Sequence, residues 1–139
     1  MIIRALAAGI ASASFSVLFQ VRGRNIILAG MNGGIGYFVY LLMGSRGDFL
    51  SLLLASGAMT LCSEVTARIK HSPATLFLVP GLIPIVPGGG IYNCVLEALE
   101  GNIGEAVLTC YTTLLEAGAI AVGIIVASSL LKLISVKKP

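Results

Sequence analysis

Charge is what this chain has least of: nine Lys or Arg and six Asp or Glu make up 11% of 139 residues. Soluble domains carry about a quarter of charged residues, so an ordinary water-exposed surface is excluded. Tryptophan is absent, histidine occurs once and aromatic residues make up 6%. Without an aromatic platform or a basic stripe, nucleic acid is excluded as a partner. The three cysteines, Cys62, Cys94 and Cys110, show neither a CxxC pair nor Cys/His spacing. They read as small buried hydrophobes, not as metal ligands or a disulfide. No Walker, GxGxxG or Ser/His/Asp arrangement is present, which leaves no case for an enzyme and implies no cofactor.

What is abundant is apolar. The hydrophobic content is 57% and the mean hydropathy +1.00, which defines an all-α integral membrane protein. Five apolar blocks lie near the ~20 residues a spanning helix needs: residues 5–21, 26–44, 49–67, 73–96 and 106–134. The last is longer than a bilayer requires and is expected to tilt or project. Connectors are short, so residues 1–139 form a single transmembrane domain. Residues 1–20 have the charged start of a signal peptide, but the cleavage candidate Ala11-Ser-Ala13 leaves too short an apolar stretch before it. They read as a first span that stays in place.

If five blocks cross, Arg22, Arg24, Arg68, Lys70, Lys132, Lys137 and Lys138 share one side, with His71 in a loop there. Arg4 and Arg46, with Asp48, Glu97, Glu100 and Glu105, take the other. The seven-to-two division of Lys and Arg predicts a plasma (inner) membrane protein with its N-terminus outside and its C-terminus cytoplasmic. A re-entrant fourth block would shift the C-terminal lysines and shrink that bias.

The fourth block is the unusual one. Phe77-Leu-Val-Pro-Gly-Leu-Ile-Pro-Ile-Val-Pro-Gly-Gly-Gly-Ile-Tyr92 holds three of the five prolines and four glycines. Pro80, Pro84 and Pro87 each remove a backbone donor, while Gly81, Gly88, Gly89 and Gly90 add freedom. A continuous helix is therefore not expected here. In hydrocarbon the freed backbone must be satisfied by protein or by a water-lined cavity, and broken spans of this kind form binding sites in many transporters. The second half-helix, led by Gly88–Gly90, presents unpaired N–H groups and a positive dipole end to an anion. An amino acid or organic acid is the cargo this suggests.

Glu116 is the only acidic residue inside a long apolar run, where a charge costs about 2.5–3.5 kcal/mol on insertion scales. Two readings stand open: a proton-carrying carboxyl facing a cavity, or a group near the end of a tilted helix that reaches water. Glu64 stands one turn before Arg68, a spacing that favours an i, i+4 ion pair over a substrate ligand. Asn32 and Asn93 have amides that both donate and accept. They suit a carboxylate or zwitterion, or equally a tie to irregular backbone; the preceding glycines favour a site role for Asn93. Tyr92 and Tyr111 read as interface anchors. Gly30 and Gly34 form a GxxxG beside Gly33 and Gly36, and Ala119, Gly123 and Ala127 share a helix face. Such stripes pack helices within one chain or join subunits.

Arg24-Asn-Ile-Ile-Leu-Ala-Gly-Met-Asn-Gly-Gly-Ile-Gly-Tyr37, followed by the Pro73 to Tyr92 stretch, resembles the small all-membrane half of the threonine/serine exporter family. The resemblance covers essentially the whole chain. It implies proton-driven export of threonine and serine or, in some split members, of a dicarboxylate such as succinate. It also implies one half of a transporter of about ten spans, completed by a larger subunit or by a second copy of the chain. An auxiliary role beside a larger transporter is the other-class alternative.

Overall fold

The computed structural model describes residues 1–44 and 49–136, and the regular structure of these residues is entirely helical. The helices are α1 (Ile2–Leu18), α2 (Asn25–Leu42), α3 (Phe49–Lys70), α4 (Thr75–Leu82), α5 (Gly88–Leu99) and α6 (Ile103–Val136). A 3-10 turn, Ile83–Ile85, follows α4. Helices α2, α3 and α6 are long and apolar enough to cross a membrane, and α4 and α5 form a further span bent by 50°. Helix α1 has 17 residues, about 26 Å at ~1.5 Å per residue, slightly less than the ~30 Å hydrocarbon core. These are the five expected blocks, with ends moved by a few residues.

Small residues set the packing. A Cβ at Gly30 would stand 2.9 Å from the Gly9 carbonyl oxygen and 3.0 Å from the Ala13 Cβ, so α1 and α2 run antiparallel with backbones in contact. Gly36 lies against Met59, and Asn32 meets Ser63, which aligns α2 and α3 antiparallel. On the other side of α3, Gly123 faces Leu53, Ser56 and Gly57, and Arg68 donates to the Leu131 carbonyl at 3.3 Å. Helices α3 and α6 are therefore parallel. Two parallel helices can be joined this way only if the bent α4–α5 pair crosses the bundle, so the re-entrant alternative does not hold. The two small-residue stripes are used for packing inside the chain.

The interior is small and partly polar. Leu52, Ala55, Met59, Ile85, Ala119 and Ile120 make the main buried cluster. Buried hydroxyls bond back to their own helices: Ser56 to the Leu53 carbonyl at 3.1 Å and Thr60 to the Ser56 carbonyl at 2.8 Å. Such bonds satisfy a hydroxyl without a partner helix. Large apolar side chains instead point outward on every long helix, Ile10, Ile27, Leu50 and Leu114 among them. That inversion suits a lipid surround.

The helix directions group Arg22, Arg24, Arg68, Lys70 and Lys132 at one end of the bundle and Arg4, Glu97, Glu100 and Glu105 at the other. Arg46, Asp48, Lys137 and Lys138 lie outside the described residues. Two expectations need correction. Arg68 reaches α6, and no ion pair joins it to Glu64. Cys94 and Cys110 form a disulfide with a Cα–Cα distance of 5.3 Å, and Cys62 alone remains a free, half-buried thiol. Antiparallel pairing of α5 and α6 across a short loop brings the two sulfurs together, although a sequence separation of 16 matches no motif.

Candidate functional site

The break is built by proline. Within 76–91, Pro80, Pro84 and Pro87 supply no N–H to the carbonyls of Leu76, Pro80 and Ile83, so the helical ladder fails three times. Val86, which precedes Pro87, is extended at φ −63°, ψ 132°, the conformation a following proline favours. The chain re-enters a helix at Gly88, whose N–H bonds the Val86 carbonyl at 2.7 Å; Ile91 N–H then bonds Pro87 at 3.3 Å. Between them, the amides of Gly89 and Gly90 have no backbone acceptor. Gly88 and Gly89 look onto open space, whereas Gly90 lies against Thr113 of α6.

Beside the break lies a cavity of about 190 Å³, large enough to admit water. Pro84–Pro87 form one wall, Tyr37 and Tyr40 of α2 another, and Leu52 and Glu116 close it. Glu116 is half-buried, and among the described residues its carboxyl makes no hydrogen bond or ion pair. Glu116 lines this cavity and is partly exposed on α6.

A second cluster holds the first half of the broken helix. Asn32 Nδ2 donates to Ser63 Oγ at 2.7 Å and to the Phe77 carbonyl at 3.1 Å, tying α2 to α3 and α4. The carbonyl needs a donor, so it fixes which end of the amide faces α4. Gly81 lets this happen: a Cβ there would lie 2.9 Å from Asn32 Nδ2. Asn32 Oδ1 and Ser12 Oγ are buried with no partner. Replacing Asn32 by Ala strips a donor from the Phe77 carbonyl and leaves it buried. A loss of about 1–3 kcal/mol is expected, read as a lower thermal midpoint of the detergent-purified protein. An unchanged midpoint removes Asn32 from its bridging role.

Pro84, Pro87 and Glu116 are thus brought to one cavity, with Gly88, Gly89 and Gly90 opening the helix that leaves it. Asn32, Pro80 and Gly81 form the neighbouring tie. Asn93 is exposed on α5 and Glu64 half-buried on α3, and neither lines the cavity. Sequence reasoning did not nominate Tyr37, Tyr40, Ser12 or Ser63. The phenols carried a faint signal, being two polar-tipped rings three residues apart in a mostly apolar span.

A bundle of apolar helices with a bent pair beside a partly polar cavity places the chain among helical membrane proteins. The chain belongs to the threonine/serine exporter family: the model described as Threonine/Serine exporter, ThrE matches residues 4–130. A threonine/serine exporter of Corynebacterium glutamicum is 24% identical over 123 residues, 88% of this chain and 25% of that protein. The chain therefore spans about a quarter of the length of that relative. No solved structure matches it.

Proposed function

We propose that this chain is the site-bearing small subunit of a secondary exporter for threonine, serine or a related small amino acid. The single observation that carries the reading is the meeting of Glu116 with Pro84 and Pro87 around one cavity at the broken span. A zwitterion has two charged ends, and the surroundings offer one group for each. The carboxylate would accept from the free Gly89 and Gly90 amides at the positive end of α5; the ammonium would pair with Glu116. Among the described residues, no Lys or Arg lines the cavity. A dicarboxylate would bring a second negative charge toward Glu116, so succinate is the weaker cargo.

Proton coupling follows the same carboxyl. Glu116 holds the cargo's ammonium when ionised and releases it when protonated, so proton and amino acid exclude each other from one group. Alternating access would use the 50° bend, where a few lost hydrogen bonds make a hinge. The remaining spans of the exporter would come from a larger subunit of the same family or a second copy of this chain. The proposed orientation in the plasma (inner) membrane is N-terminus outside and C-terminus cytoplasmic, on the Lys and Arg asymmetry.

Efflux of labelled threonine from native membrane vesicles, with and without a proton gradient, tests the reading. Gradient-dependent threonine movement that excess succinate does not inhibit is expected; succinate movement without threonine movement overturns it. Gly89 offers a finer probe. Proline is tolerated in a first helical turn but has no N–H, and nothing lies within 4 Å of a Cβ at Gly89. Gly89→Pro is expected to raise the half-saturating threonine concentration by about tenfold, the ~1.5 kcal/mol of one hydrogen bond to a charged group. Gly89→Ala, which keeps the amide, is expected to stay near wild type. Equal effects of the two would show that the amide does not touch cargo.

A further inference from the structure

The hairpin of α5 and α6 is where the structure departs most from what the residues announce. Helix α6 has 34 residues, about 51 Å at ~1.5 Å per residue, against a hydrocarbon core of ~30 Å. Exposed Tyr111 and exposed Lys132 stand about 32 Å apart along it, close to that thickness. Tyrosine and lysine are the residues that settle at membrane–water boundaries. With Tyr111 at one boundary and Lys132 at the other, the part of α6 before Tyr111 lies beyond the hydrocarbon.

The partner helix of the hairpin agrees. Antiparallel pairing, fixed by Gly90 on Thr113 and Cys94 on Cys110, sets exposed Tyr92 at nearly the level of Tyr111. Both tyrosines therefore ring one level. The sulfurs lie on the loop side of that ring, together with Glu97, Glu100 and Glu105. Toward the other side, the same register puts Glu116 near the level of Gly88, the first residue of α5. The disulfide thus fastens α5 to α6 outside the tyrosine level, while Gly89 and Gly90, at the start of α5, and Glu116, which lines the cavity, lie on the other side of that level.

We propose that the Cys94–Cys110 disulfide is a reversible staple on an extracytoplasmic hairpin that holds the start of α5 in register with Glu116. Its position at the acid-rich end, opposite the Arg and Lys groups, places it where disulfides form and persist. A dithiol reductant would open it by exchange: the Cys94–Cys110 bond breaks, two protein thiols take two electrons and two protons, and the dithiol closes to its own disulfide. A disulfide-bearing oxidant reverses the step. Opened, α5 is held to α6 by packing alone, Gly90 against Thr113 included, and its first turn has three glycines with no covalent restraint.

The test uses the full chain in native membranes with Cys62→Ala, which removes the one thiol outside the pair. After denaturation, a polyethylene-glycol maleimide is expected to shift the protein only when a reductant is applied first, and then by two adducts. Two adducts without reductant would overturn the staple. A membrane-impermeant phosphine reductant is expected to open it in right-side-out vesicles and to leave inverted vesicles unchanged; the reverse pattern overturns the extracytoplasmic placement. The flux arm rests on the exporter reading above. Dithiothreitol is expected to lower threonine efflux by about threefold or more through loss of the competent population, with no effect on a Cys94→Ser/Cys110→Ser variant. Unchanged flux after proven reduction overturns the link to Glu116. Absent flux in the oxidised protein would instead count against the exporter reading, since the gel shift reports the staple without any transport.

Discussion

Replacing Glu116 by Gln is expected to lower threonine efflux by about 30-fold or more, with the protein still folded. Gln has the shape of Glu without its charge. The figure corresponds to about 2 kcal/mol, the low end of what losing one member of a hydrogen-bonded charge pair costs. Structural collateral should be small, because Glu116 is half-buried and its carboxyl bonds to nothing among the described residues. Purified Glu116→Gln should therefore elute and melt like wild type. Glu116→Asp, which keeps the charge on a shorter arm, should recover part of the flux and keep its dependence on the proton gradient; Gln should lose that dependence. Wild-type flux in Glu116→Gln would remove the carboxyl from both cargo binding and coupling.

Gly123→Val is expected to do the opposite: to dismantle the fold with no direct bearing on the cavity. A Cβ at Gly123 would overlap the Ser56 hydroxyl and the Leu53 carbonyl oxygen. The hydroxyl can rotate away, but a carbonyl in mid-helix cannot, so α3 and α6 must move apart. Helices in lipid associate through close packing, without a hydrophobic drive to hold a loosened pair. Overpacking of this kind costs about 1–3 kcal/mol or more. The separation also breaks the contact that sets α6 parallel to α3 and puts Glu116 at the cavity. Low yield of Gly123→Val in membranes and rapid proteolysis are expected, with Gly118→Val as the control, since a Cβ at Gly118 meets nothing within 4 Å. Equal accumulation of the two variants would show that α3 and α6 do not pack through Gly123.

Several parts of the fold were legible because their causes are local. Three prolines in eight residues must break a helix wherever they fall, and Gly88 must be near the restart because proline cannot continue the ladder but can precede it. Apolar length gave the spans. Other parts had no local cause. Whether α4 and α5 cross or return depended on α6 lying parallel to α3, a fact carried by Gly123, Leu53, Arg68 and Leu131, which are far apart in sequence. Glu64 and Arg68 had a suitable spacing for an ion pair, yet the guanidinium found a helix-end carbonyl on α6.

The cysteines make the same point in the other direction. Their spacing is silent, because a disulfide between antiparallel helices depends on where the loop falls. The site residues divide likewise. Pro84, Pro87 and Glu116 were nominated singly from chemistry, and nothing in their order shows that they share a cavity with Tyr37 and Tyr40. Asn32 was open between ligand and tie until the Phe77 carbonyl was found within reach of its amide.

By itself, then, the sequence determined the solvent, the apolar blocks and the place where the fourth one fails, since these depend on hydropathy and on backbone donors that proline removes. The tertiary structure alone decided the direction of the bent pair, the Cys94–Cys110 bond and which polar groups meet. Those depend on distances between helices, which glycine and alanine contacts set across sequence separations that no local pattern records.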